Sequence, residues 1–300
     1  MSAGAARVVA QAKINLLLHV LAREASGHHQ IETLFQRVAL GDVVTVRVTP
    51  RGRALDVAGP ALPPAGLGPA EENLAWRAAD RYAVVAGWPH GFAIEIEKVV
   101  PVGGGLGGGS ADAAAVLRAL NALNPEPLSP LALLQIAARL GADVAFLASR
   151  ASLALAWGRG ERMLQLPPLP ARDVAIVVPP FGVRTADAYA WLAAEREAHP
   201  RPPHAELLHP EELASWPGAE SRMRNDFQPI VGARHPEIVR LVRLLRERLG
   251  AAAAMMSGSG SAVFALFDAP PDVEAIGRAT GCRVLAARTA ARVEDAVRLD

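Results

Sequence analysis

Between Pro101 and Ser110 the chain reads Pro-Val-Gly-Gly-Gly-Leu-Gly-Gly-Gly-Ser, with six glycines in the seven positions from 103 to 109. Ordering such a run is expensive, because glycine gives up more backbone freedom on folding than any other residue. It is tolerated where the backbone must take positive φ or approach a ligand closely. The flanks indicate the kind of ligand. Gly91 to Lys98 (GFAIEIEK) alternates with the period of a strand. A helical stretch begins at Ser110 and runs to about Leu123. The unpaired N–H groups and the dipole at a helix start favour an anion. Strand, glycine loop and helix in this order describe a phosphate cradle.

Two familiar cradles do not fit. Gly103-x-Gly105-x-x-Gly108 has the dinucleotide-binding spacing, but so glycine-dense a run matches almost any glycine pattern, and the second strand with its terminal acid is missing. A Walker A loop requires Lys-Ser/Thr after the last glycine, and none is present. The cation for a bound phosphate must therefore come from elsewhere. All but two of the 31 basic residues are arginine; the exceptions are Lys13 and Lys98. A lysine kept against that bias offers a compact point charge suited to one phosphate oxygen or hydroxyl. Lys13 lies in Val8–Val20, an apolar strand-like stretch, and a lysine buried there needs a carboxylate or phosphate partner. Asn15 falls on the same strand face by the period of two. Lys98 ends the strand before the loop and has two readings, a nucleotide contact or a surface salt partner of Glu95 or Glu97.

Composition bounds the rest. A length of 300 residues suggests two domains, and 51% hydrophobic with 20% charged residues supports a packed core without staples. A net charge of +1 argues against a broad nucleic-acid face. The single cysteine, Cys282, excludes a disulfide framework and a cysteine-based zinc cluster, and no direct metal site is expected. No secretory signal is legible, and Leu16–Leu18, the strongest apolar stretch near the start, is far too short to cross a bilayer. The expectation is a cytoplasmic protein with no membrane partner.

The pattern divides into two halves, 1–165 with the phosphate loop and 166–300 with alternating helix and strand, an α+β organisation. Strands are predicted at 8–20, 42–49, 91–98, 151–157, 162–166, 173–178, 253–256, 262–267 and 282–288. Helices are predicted from Asn73 to Gly87, from Ser110, from Ser129-Pro130 to Gly141, from a Thr185 cap, and over 225–231, 236–249 and 270–280. Residues 58–70 and 198–218 read as irregular. Asp143 follows the helix stop at Gly141 in a short apolar stretch. The residues alone leave it as a turn or cap carboxylate or as a general base.

Three motifs in this order resemble the GHMP kinases, the group of galactokinase, homoserine kinase and mevalonate kinase. They are Ala12-Lys13-Ile14-Asn15-Leu16, Pro101–Ser110 with Ala111-Asp112-Ala113-Ala114, and Met256-Ser-Gly-Ser-Gly-Ser-Ala-Val-Phe264. Gly27-His28-His29-x-Ile31-x-Thr33-Leu34-Phe35-Gln36, Glu72-Asn73-Leu74, Leu140–Val144 and Asn225-Asp226-Phe227 resemble one subfamily. That subfamily phosphorylates the 2-hydroxyl of 4-diphosphocytidyl-2-C-methyl-D-erythritol in the non-mevalonate isoprenoid route. The resemblance implies a two-domain α+β fold with the active site in the cleft between the halves, as a monomer or homodimer. It implies ATP, with magnesium carried by the nucleotide, on Pro101, Gly103, Gly104, Gly105, Leu106, Gly107, Gly108, Gly109 and Ser110, with Lys98 joining them under the first of its two readings. It makes Lys13 and Asp143 the catalytic pair. It assigns substrate contacts to Asn15, His28, His29, Thr185, Tyr189, Ser257, Gly258, Ser259 and Gly260, with His29 bonding and Tyr189 stacking on the cytosine. The chain departs from the pattern twice: His28 stands where the subfamily has tyrosine, and Ala111 where it has a second serine. A nucleotide-binding regulator that has lost catalysis is the competing reading, and the presence of both Lys13 and Asp143 speaks against it.

Overall fold

Two long antiparallel strands, β1 (Ala5–Arg23) and β2 (His29–Thr49), organise the chain. The computed structural model describes residues 4–24, 27, 29–199 and 208–299; His28 lies outside them. Only the second half of β2 was expected as strand. Its first half escapes the apolar alternation because Thr33, Gln36 and Arg37 are buried there among the apolar residues.

The remaining elements follow in chain order. They are β3 (Arg53–Ala58), α1 (Leu74–Ala86), β4 (Gly91–Glu97), α2 (Gly108–Leu123), α3 (Pro130–Leu140), α4 (Ala142–Ala148), β5 (Leu153–Gly158), β6 (Arg162–Leu166) and β7 (Asp173–Val178). Then come α5 (Thr185–Ala198), α6 (Pro210–Leu213), α7 (Trp216–Ser221), β8 (Arg224–Asn225), α8 (Phe227–Arg234), α9 (Pro236–Arg248), β9 (Ala253–Met256), β10 (Val263–Phe267), α10 (Val273–Thr280), β11 (Arg283–Arg288) and β12 (Val297–Leu299).

Among the described residues these strands form two sheets. The larger has the order β12-β1-β2-β4-β3, with β5 and β6 branching from the first half of β2 and β8 adding to β1. The smaller has the order β11-β7-β10-β9. Helices α1 to α4 cover one face of the larger sheet around Val44, Val46, Phe92 and the alanines of α2. Its other face meets the smaller sheet through Leu16, Val38, Ile176, Phe264 and Leu266. The far side of the smaller sheet is covered by α5, α8, α9 and α10 through Ala188, Val231, Leu241, Leu245 and Ile276. Burying each leucine here contributes about 2 kcal/mol.

A β-bulge decides which way Lys13 and Asn15 face. Ala6, Val8 and Ala10 of β1 belong to the helical layer, whereas Ala12, Ile14 and Leu16 belong to the layer between the sheets. The register shift between Gln11 and Lys13 lies between the two sets. One extra residue reverses which side of the sheet each following side chain faces. Lys13 and Asn15 are thereby turned toward the helical side, where α2 and α4 begin.

Several elements differ from expectation for identifiable reasons. Helix α2 starts two residues early, with Gly107 as N-cap at φ 72°. The short helix α4 was not foreseen, because it restarts immediately at the Gly141 stop of α3. Thr185 does not cap α5: Arg184 is the N-cap and no side chain caps it. Of the stretch 198–218, residues 200–207 lie outside the described residues; beyond them come two short helices, α6 and α7, each with a proline in its first turn. Asn225 lies in strand β8, so α8 begins at Phe227. Strand β3 is half exposed and gave no clear alternation. Among the described residues no helix is long and apolar enough to cross a membrane.

Candidate active site

The glycine loop is held by its carbonyls. The amide of Ala262 donates to Gly104 O at 3.2 Å, and the amide of Lys13 donates to Leu106 O at 3.0 Å. Gly105 O accepts from both Lys13 Nζ at 3.0 Å and Ser257 Oγ at 2.9 Å. Gly105 has φ +74°, and a Cβ there would lie 2.0 Å from the Ser257 carbonyl oxygen. At Gly107 a Cβ would press on Lys13 Cγ and Cε at 3.1 Å. The first helical bond of α2 runs from Ala111 N to Gly107 O. The amides of Gly108, Gly109 and Ser110 therefore have no carbonyl one turn earlier to bond, and are available to an anion.

Two cavities share this loop. The first, of about 200 Å³, is lined by Leu67, Asn73, Lys98, Pro101, Leu106 and Asp112 among others. The second, of about 350 Å³, is lined by Lys13, Asn15, Ser110, Asp143, Thr185, Tyr189 and Gly258–Gly260 among others. Leu74, Gly103, Gly105 and Gly107–Gly109 line both, so the loop is their common wall.

Lys98 sits beneath the first cavity rather than on the surface. It is buried, with Nζ 2.5 Å from Asp42 Oδ2 and 2.7 Å from Asp112 Oδ2. Asp42 also accepts from the amides of Val99 and Val100. The expected surface pairing with Glu95 or Glu97 is thus replaced by two buried carboxylates, which alternation alone could not reveal. Burial acts against the Lys98 charge, but Asp112 and Asp42 outweigh it and hold its pKa above the usual value. Asp112 moves the other way for a carboxylate: burial pushes it up to about 7, against the pull of Lys98. Its Oδ1 is buried without a hydrogen-bond partner.

In the second cavity Lys13 Nζ lies 3.4 Å from Asp143 Oδ2 and donates to Asn15 Oδ1 at 2.8 Å. The Asn15 amide donates to Thr33 Oγ1 at 2.8 Å, and that hydroxyl donates to Leu17 O. Lysine and asparagine are buried, whereas the Asp143 side chain is 34% exposed in the first turn of α4. The lining residues thus present one ammonium and one accessible carboxylate to whatever enters. A carboxylate in this position can accept a hydrogen bond from a hydroxyl placed on it, and the ammonium can balance negative charge beside it.

The far end of this cavity is aromatic. His29 stacks on Tyr189 with ring centroids 4.6 Å apart, and Tyr189 meets Phe227 edge-on at 4.8 Å. Burial, and then the Asp143 charge, push the Tyr189 phenol up to about 12, so it stays protonated as a donor. The hydroxyls of Thr185 and Ser259 meet at 3.0 Å across the cavity. Ser257 does not line it; fully buried, it joins the C-terminal glycine turn to the phosphate loop. Asn225 holds the same turn, donating to Met256 O and Gly258 O at 2.8 Å each. The residues missed from sequence are Asp42, Asp112, Thr33 and Asn225 as bonding partners. Thr33, Asp112 and Asn225 stood in the quoted motifs, but nothing in the sequence separates a buried anchor from a ligand contact.

Residues 73–150 match the family described as GHMP kinases N terminal domain, and residues 211–286 match GHMP kinases C terminal. The chain is 37% identical over 286 residues to the 4-diphosphocytidyl-2-C-methyl-D-erythritol kinase of Pelotomaculum thermopropionicum, covering 94% of this chain and 96% of that protein. It is 40% identical over 258 residues to the like-named kinase of Moorella thermoacetica, covering 85% and 87%. A solved 4-(cytidine 5'-diphospho)-2C-methyl-D-erythritol kinase superposes with a TM-score of 0.76 at 33% identity, over 94% of this chain and 98% of its own. Homoserine kinase from Cytophaga hutchinsonii, at 20% identity and a TM-score of 0.69 over 98% and 97%, shares the fold.

Proposed function

The chain belongs to the GHMP kinases, and from that premise we propose how its cleft performs ATP-dependent phosphorylation of 4-diphosphocytidyl-2-C-methyl-D-erythritol in the methylerythritol phosphate pathway. The observation that carries the reading is the Lys13–Asp143 pair, 3.4 Å apart and next to the open start of α2.

The nucleotide occupies the first cavity, with Lys98 and Pro101 in its wall and its phosphates along Gly103–Ser110. The alcohol occupies the second, with its 2-hydroxyl at Asp143 and its cytosine toward His29 and Tyr189. Thr185, Ser259 and the Gly258–Gly260 turn face the part of the substrate between them. The hydroxyl oxygen attacks the γ-phosphorus, its proton passes to Asp143, and the bond to the ADP oxygen breaks. Lys13, fixed by Asn15 and the Gly105 carbonyl, neutralises charge on the transferred group. Asn15 also faces the polyol.

Magnesium supplies charge neutralisation on the phosphates when bound. Ser110 offers a hydroxyl at the loop, a donor that would suit an ion arriving with the nucleotide. The proposed setting is the cytoplasm, with the chain as monomer or homodimer. Assaying the purified chain with ATP and this substrate tests the reading. Absence of turnover, together with faster turnover of mevalonate, homoserine or galactose, sinks it.

A further inference from the structure

Lys13 and Arg37 are direct partners across the β1–β2 ladder. Like charges directly opposite one another destabilise a sheet, so a pair of buried cations in one rung asks for a reason. The two side chains diverge to opposite ends of the same helix. Lys13 reaches Asp143 in the first turn of α4. Arg37, 1% exposed, reaches the other end: Nη2 donates to the carbonyls of Phe146, Leu147 and Ser149 at 3.0, 2.9 and 3.0 Å, and Nε donates to Ala151 O at 2.9 Å. A cation on the last carbonyls of a helix satisfies groups that have no intrahelical partner and complements the helix dipole. Between the two cations stands a column of rings. Lys13 Nζ lies 5.7 Å from the Phe35 centroid, Phe35 stacks on Phe146 at 4.8 Å, and the Arg37 guanidinium lies 5.0 Å from the Phe146 centroid. Burial, and then the Arg118 charge, lower Arg37 to about 9, which still leaves it charged at neutral pH.

We infer that Arg37 is a positioning residue for phosphoryl transfer: by holding the C-terminal end of α4 to the rung that carries Lys13, it fixes where Asp143 stands relative to the ammonium. Helix α4 is only seven residues long. It makes too few internal bonds to hold its own place, and a displacement of about 1 Å at a reacting group can cost on the order of 100-fold in rate. This rests on the reading of Lys13 and Asp143 as the catalytic pair.

The test uses the full chain, with ATP and the cytidyl substrate, in the wild-type and Asp143→Ala backgrounds. Arg37→Lys keeps the charge but loses the planar fork that reaches four carbonyls at once. It is expected to lower kcat by about tenfold or more with KM for ATP within about twofold. In the Asp143→Ala background, the same substitution should change the residual rate by less than about twofold, because there is no carboxylate left to position. A folded Arg37→Lys variant with unchanged kcat overturns the proposal, as do losses of equal size in both backgrounds, the mark of general damage. If Arg37→Lys does not fold, Phe146→Leu removes the ring beneath the guanidinium and is read by the same two criteria. Near-normal turnover by Asp143→Ala alone brings down the catalytic pair and this proposal with it, whereas equal losses overturn only the role of Arg37.

Discussion

The Ser257 hydroxyl donates to the Gly105 carbonyl at 2.9 Å and spans 152 positions of sequence to do so. Lys13 Nζ donates to the same oxygen at 3.0 Å. One carbonyl thus joins the glycine loop, the C-terminal glycine turn and Lys13. Ser257→Ala removes one of these two donors. The variant should lose about 1 kcal/mol of stability in urea unfolding, and its KM for ATP should rise more than its kcat falls. Unchanged nucleotide affinity in the folded variant would contradict a bracing role.

Asp143→Ala leaves the loop and Lys98 untouched and removes the accessible carboxylate of the second cavity. Steady-state kinetics should show kcat lower by about 100-fold or more, while ATP affinity by calorimetry stays within about twofold. Near-normal turnover would show that the group only neighbours the reaction.

Two glycines of the loop should respond in opposite ways to alanine. At Gly105 the added carbon meets the Ser257 carbonyl oxygen at 2.0 Å, and φ is +74°. That variant should be destabilised by about 3 kcal/mol or more, or fail to fold. At Gly109, in the first turn of α2, the added carbon meets nothing within 4 Å. Thermal unfolding of Gly109→Ala should match or exceed wild type by up to about 1 kcal/mol, even though the methyl crowds a bound phosphate and raises KM for ATP. Equal behaviour of the two variants would refute the argument from backbone geometry.

Asp112 gives the fold a pH dependence of defined sign. Its pKa is raised by burial from 3.8 to about 7, so between these values the folded chain holds a proton that the unfolded chain releases. Its contribution to stability is present in full below the unfolded pKa and is lost as pH rises through about 7. In Asp112→Asn that group no longer titrates. Scanning Tm from pH 4 to 8 should show wild type falling relative to the variant. Parallel curves would mean that Asp112 does not titrate in this range.

What the sequence made legible follows from how far each interaction reaches. The glycine loop, the helix that follows it, the strand that bears Lys13 and the shared face of Lys13 and Asn15 are written in local spacing, and all are readable from the sequence, although α2 begins two residues before Ser110. The face reversal at the Gln11–Lys13 bulge was not, because a bulge depends on pairing with β2. The sequence leaves Lys98 between a nucleotide contact and a surface salt bridge because its partners, Asp42 and Asp112, lie 56 and 14 positions away and carry no periodic mark. The first half of β2 was hidden by the polar residues it buries, among them Thr33, which accepts from Asn15, and Arg37, which donates to the end of α4. Motif resemblance made Ser257 a substrate contact, whereas in the fold its hydroxyl donates to the Gly105 carbonyl and it is not among the residues lining the second cavity.

The scarcity of lysine has a practical consequence. Lys13 and Lys98 are the only side-chain amines in the sequence, and they are 3% and 2% exposed. Acylating reagents and lysine-modifying enzymes therefore find no side-chain amine on the surface of the native fold. Labelling of either amine reports that the cleft or the region beneath the loop has opened. A bound nucleotide should slow that labelling. The two lysines thereby make acylation a built-in footprint of the two cavities they line, with no other side-chain amine in the sequence to compete.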